Sequence, residues 1–138
     1  MRRMLALASL LLLADTAARA GDDCAGALNA PQALRVQGEG YTVAFVPRPA
    51  PLATGRHFAL DIAVCPDRGM APPKSLQVDA DMPAHRHGMN YRASVAVRGP
   101  GLYHAEGLML HMPGRWRFIF DLALDGRSVR LTHEVDVP

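Results

Sequence analysis

Several ingredients of common function classes are missing from this chain. It has two cysteines in 138 residues and no CxxC, which argues against a thiolate metal site. It contains neither a phosphate-binding loop nor a dinucleotide fingerprint, and Ser75, Ser94 and Ser128 sit in no nucleophile elbow. The sequence therefore predicts a protein that is not an enzyme. Beyond one short apolar run near the N-terminus, no stretch approaches the roughly 20 apolar residues that a bilayer-spanning helix needs. Helical heptads and low-complexity tracts are also lacking. So is the basic excess that a nucleic-acid surface requires, once the N-terminal segment is set aside.

That segment reads as a secretory signal peptide over residues 1–20. Arg2 and Arg3 precede an apolar run from Leu5 to Ala14, and Ala18-Arg19-Ala20 supplies an A-x-A cleavage signature. Gly-Asp-Asp ahead of Cys24 is unlike a lipid-attachment site, so no lipid anchor is expected. Setting aside Arg2, Arg3, Arg19 and Asp15 leaves 12 basic and 12 acidic residues, a neutral product. The remaining 118 residues amount to one domain. The expected location is periplasmic or secreted, with no membrane span after cleavage. In such an oxidising compartment Cys24 and Cys65 are expected to form a disulfide, worth roughly 4 kcal/mol on the chain-entropy view.

What the sequence does contain is short, alternating apolar segments between turn signals. Residues 21–40 read as an irregular lead-in with one helical turn. Strand candidates follow at Tyr41–Val46, His57–Val64, Ser75–Met82, Tyr91–Arg98 and Leu102–Leu110, then around Trp116–Leu124 and Val129–Val137. In the second, Phe58, Leu60, Ile62 and Val64 share one face. Asp125-Gly126 is a hairpin turn signal. Period-two alternation with turns at this spacing predicts an all-β chain. Seven short strands over residues 41–138 match an immunoglobulin-like β-sandwich, with an eight-stranded barrel as the rival.

Histidine and methionine are unevenly placed. Of eleven such residues after the leader, eight fall between Met82 and Met112, a window of 31 residues. His85, His87 and Met89 alternate along one segment, so an extended chain turns them to the same side. His111-Met112 closes the fifth strand candidate. Two rim loops carrying imidazoles and thioethers can converge on one ion. Ligand softness then points to copper, because thioether suits Cu(I) and imidazole suits both copper states. Asp79 and Asp81 lie near the first loop and leave a Cu(II) or Zn(II) site open. The candidate metal ligands are His85, His87, Met89, His111 and Met112. Met82 and Met109 also fit an apolar core, His104 a surface position, and His133 a hydrogen-bonded inward position. His57 heads a strand without an evident partner.

These segments carry a resemblance. Met82-Pro83-Ala84-His85-Arg86-His87-Gly88-Met89 and Met112-Pro113-Gly114-Arg115-Trp116, with Gly101-Leu102-Tyr103 between them, resemble the YtkA-like domain family, which is related to FixH-like proteins. The resemblance covers roughly Thr42 to Val137. It implies a small exported or membrane-anchored β-sandwich associated with copper handling or oxidase assembly. The missing membrane anchor departs from the FixH-like pattern. A looser likeness, of site chemistry alone, is to periplasmic Cu(I) chaperones of the PCuAC type: Met89 and His111 have the 21 intervening residues found there. Val78 stands where another ligand is expected, and His111-Met112 lacks an intervening residue.

The expectation is a periplasmic copper-binding protein for delivery or protection, with a copper-donating or copper-accepting protein as partner. The competing reading is a structural or partner-binding β-sandwich without a metal.

Overall fold

Alternation of apolar side chains fixes the strands. A computed structural model of the chain describes residues 23–138; the expected leader lies outside them. The described residues form β1 (Leu34–Gly38), β2 (Tyr41–Arg48), β3 (His57–Pro66), β4 (Ser75–Met82), β5 (His87–Gly88), β6 (Ser94–Gly99), β7 (Leu102–Met109), β8 (Gly114–Ala123) and β9 (Ser128–Val137). They pair antiparallel into two sheets, ordered β1-β2-β3-β7-β6 and β5-β4-β8-β9. The all-β sandwich expected from the sequence is present.

The core lies between the sheets. Phe58, Leu60, Ile62 and Val64 of β3 face Leu76, Val78, Ala80 and Met82 of β4 and Trp116, Phe118, Phe120 and Leu122 of β8, and all are buried. Phe45 of β2 ties the layers together: its ring meets Phe118 edge-on at 5.6 Å and Phe120 at 4.9 Å. Such aromatic pairs add to the burial of their apolar area.

A second, smaller core covers the outer side of the first sheet. One helical turn over 23–26 and the chain up to Ala33 lay Cys24, Ala25, Ala30 and Ala33 against Ala44, Val46 and Ala63. The Cys24–Cys65 disulfide, with Cα atoms 5.8 Å apart, pins this segment to the end of β3. Small side chains let the lead-in approach the sheet closely, and the disulfide closes a sequence separation of 41.

The described residues hold nine strands where the alternation predicts seven. The lead-in is not wholly irregular, because β1 lies within it. Its Leu34 and Val36 are only half-buried, as befits an edge strand, so the apolar signal there is weak. The two-residue β5 falls inside a segment that reads as a loop. The next strand starts at Ser94 rather than Tyr91. The chain pairs with β4 through Met89, whose N–H donates to the Ala80 carbonyl, and it must then cross to the other sheet. Tyr91, Arg92 and Ala93 make that crossing.

Candidate metal centre

One end of the sandwich collects the histidine-bearing loops. β4 leads out at Met82, and residues 83–86 turn the chain back: the His85 N–H donates to the Met82 carbonyl and the Arg86 N–H to that of Pro83. Arg86 adopts a left-handed conformation at φ 54°, which lets the turn close into β5. Register then places His87 opposite Met82. Both residues sit on the core-facing side of the sheet, at its open edge.

From the other sheet, β7 ends at Met109, and Leu110, His111, Met112 and Pro113 arch over to β8. The arch is anchored twice. The Gly55 N–H donates to the Leu110 carbonyl at 2.8 Å. The Trp116 indole N–H donates to the Met112 carbonyl at 2.9 Å. Gly114, at φ 123°, begins the next strand.

These two loops bring three imidazoles together. The His87 and His111 ring centroids are 5.1 Å apart, with the planes inclined by 32°. His85 is 5.8 Å from His87 on the solvent side. Trp116, fully buried, lies beneath, its ring 5.4 Å from His111 and 5.8 Å from His87, edge-on to both. His85 is exposed, while His87 and His111 are half-buried. His87 Nδ1 lies 3.2 Å from the Gly88 carbonyl oxygen. His111 Nδ1 is buried and has no hydrogen-bond partner among the described residues.

The methionines divide. Met112 follows His111 in the chain, is half-buried and packs against the main core. Met89 shares the core-facing side with His87, but it lines an open groove of about 630 Å³ with Leu76, Val78, Tyr91 and Val95. Met82 is buried, as a core residue should be, and its Cε closes against Gly114.

Carboxylates are turned away. Asp81 faces outward, where Arg117 grips it through two hydrogen bonds of 2.9 and 2.6 Å. Asp79 is exposed and accepts a hydrogen bond from the Ala80 N–H. Among the described residues no group of three or more His, Cys, Asp and Glu side chains is set up to hold a metal. Both sulfurs of the cysteine pair are committed to the disulfide.

The other histidines stand apart from the cluster. His57 packs edge-on to Tyr91 at 5.1 Å on the outside of the first sheet. His104 is less free than a surface histidine: its Nδ1–H donates to Asp61 at 2.8 Å, and Arg48 donates to the same carboxylate at 2.7 Å. Burial would push the Asp61 carboxyl up, but the hydrogen bonds from Arg48 and His104 and the neighbouring positive charge prevail and hold it below its ordinary value. His133 faces inward and meets Phe45 edge-on at 5.3 Å. Met109 pairs across the sheet with His57, outside the cluster. Trp116 is the component that alternation reveals only as an inward-facing core residue. The hint of more is its place in Met112-Pro113-Gly114-Arg115-Trp116, next to the arch.

The family model described as YtkA-like matches residues 35–121, from β1 into β8, and so includes both loops. No curated protein and no solved structure matches the chain. Among the described residues no helix is long and apolar enough to cross a membrane.

Proposed function

The chain belongs to the YtkA-like family, and on that premise we propose that it is an exported copper-binding protein, holding Cu(I) at the rim between its two sheets. The observation that carries this reading is the meeting of His87 of β5 with His111 of the arch that joins the two sheets, where the buried His111 Nδ1 has no hydrogen-bond partner among the described residues. His87 and His111 are the central donors. His85 guards the solvent side and Met112 supplies a thioether from the arch, with Met89 in reserve on the groove side.

The donor chemistry favours the monovalent ion. Imidazole and thioether are neutral, and Asp81, which precedes Met82 on β4, is paired with Arg117 on the outer face. A divalent ion would keep two charges at a half-buried place with nothing to balance them, which is costly. Cu(I) brings one charge, and it prefers thioether. Zn(II) more often takes carboxylate or thiolate beside its histidines, and neither is on offer. Exposed His85 gives the ion a way in and out, which suits transfer to or from a copper-carrying protein or temporary sequestration. The role is binding, not catalysis.

The test is a titration of residues 21–138 with Cu(I) against a competing chelator, under anaerobic conditions and without thiol reductants, so that the disulfide stays closed. One equivalent bound tightly is expected. Failure to compete with a weak chelator would overturn the reading and leave a sandwich whose loops serve packing or protein contacts.

A further inference from the structure

We infer that Trp116 is the positioning residue of this rim, resting on the copper reading above: it holds the arch in place and closes the inner side of the ion's site against water. Three observations carry this. The indole N–H donates to the Met112 carbonyl, so the strand that supplies Trp116 also fixes the turn that carries His111 and Met112. The ring stands edge-on to both central imidazoles at comparable distances, 5.4 and 5.8 Å. And it is fully buried, so the space beneath the two histidines is filled by an apolar ring rather than solvent.

The consequences follow from general metal chemistry. Groups that orient ligands matter to affinity nearly as much as the ligands do, and their loss costs about 10- to 100-fold in binding. An apolar wall on one side also limits the number of waters that can join the ion. That favours an ion content with few ligands, as Cu(I) is, over Cu(II) or Zn(II), which seek more.

The chain has a single tryptophan, so the experiment has a built-in probe. Ag(I), which shares the charge and ligand preference of Cu(I) without its redox chemistry, is titrated into residues 21–138 while tryptophan emission is followed. Emission should change and saturate at one equivalent, and the His87→Ala/His111→Ala variant should show no such change. Two substitutions then separate the roles. Trp116→Phe keeps an apolar ring but removes the N–H; Trp116→Leu removes both. With folding verified by circular dichroism, Cu(I) affinity should fall about 10-fold or more in Trp116→Phe and further in Trp116→Leu. The ratio of Cu(I) to Zn(II) affinity should fall mainly in Trp116→Leu, which opens the wall. A purely structural tryptophan would lower thermal stability and leave that ratio alone. Folded Trp116→Phe and Trp116→Leu proteins with wild-type affinity and selectivity would overturn this inference while leaving the copper reading intact. A wild-type chain that binds no Cu(I) would overturn the reading itself.

Discussion

The His87 and His111 rings stand 5.1 Å apart, one on the edge strand β5 and the other on the arch that joins β7 of the first sheet to β8 of the second. An ion between them would bridge the sandwich at its open end. The two histidines should therefore act as a unit. His87→Ala and His111→Ala are each expected to weaken Cu(I) binding by more than about 10-fold. The double variant should bind little more weakly than the worse single one, because one lost bridge cannot be lost twice. Chelator competition measures all three. A double variant with wild-type affinity places the copper elsewhere.

The thioethers are expected to contribute unequally. Met112 follows His111 on the arch, whereas Met89 lines the groove with Leu76 and Tyr91. Leucine keeps the volume of methionine and removes the sulfur. Met112→Leu should therefore weaken Cu(I) binding more than Met89→Leu, and each should affect Cu(I) more than Cu(II). Parallel titrations with both oxidation states decide it; equal losses for both ions would argue that neither sulfur binds.

The core strands are legible in the sequence because their alternation is unbroken: Phe58 to Val64, Leu76 to Met82 and Trp116 to Leu122 each declare a buried face. β1 and β5 are not legible. β1 has two apolar residues and a half-solvated edge. β5 is a pair of residues, His87 and Gly88, that becomes a strand only because β4 offers its edge at Asp81 and Met82. Alternation correctly puts His87 and Met89 on one side. It fails at His85, since Arg86 turns left-handed and interrupts the extended chain; His85 reaches His87 from the turn instead. The approach of His111 to His87 depends on how far two sheets stand apart and how the arch is tethered, which one-dimensional spacing does not encode. The same holds for Trp116, whose inward direction is predictable and whose hydrogen bond to the Met112 carbonyl is not.

The disulfide should matter for stability and not for copper. Cys65 is at the far end of β3 from His57, which pairs with Met109 just before the arch. Eight residues of strand separate them by roughly 26 Å. Replacing both Cys24 and Cys65 by serine is expected to lower stability by about 2–5 kcal/mol and to expose residues 23–33 to protease first, since only Leu28 and a few alanines then hold that segment. Copper affinity of the folded fraction should stay unchanged. Denaturant melts, limited proteolysis and chelator competition on the same preparation check the three parts.

Gly114 is confined by its backbone and by a neighbour. Its φ of 123° is unfavourable for any side chain, and a Cβ there would come within 2.9 Å of the Met82 Cε. Gly114→Ala is expected to cost about 1–3 kcal/mol. The methionine tip can move, so the backbone accounts for most of the cost. Adding Met82→Val, which removes the obstructing tip, should recover little of the loss. Thermal melts of the single and double variants, each compared with its own parent, separate the two sources. Full recovery would make the clash rather than the backbone responsible.

Asp61 gives a prediction in pH. Arg48 Nε and His104 Nδ1 donate to its carboxylate at 2.7 and 2.8 Å on the outer face of the first sheet. Burial opposes the charge, but these hydrogen bonds win and hold the carboxyl below its ordinary 3.8. A carboxyl with a lower pKa folded than unfolded binds protons more readily in the unfolded chain. Its contribution is thus complete above the unfolded value and is lost as pH falls through the folded one. Asp61→Asn keeps the shape and removes the charge. The variant should be less stable than wild type near neutral pH by about 0.5–1 kcal/mol, the size expected of a partly exposed ion pair. That gap should shrink below about pH 4, as the wild-type carboxyl takes up its proton. Urea denaturation of both proteins across the acid range measures the gap directly. A difference that stays constant down to the lowest pH at which both remain folded would show that the carboxylate's charge does not stabilise the sheet.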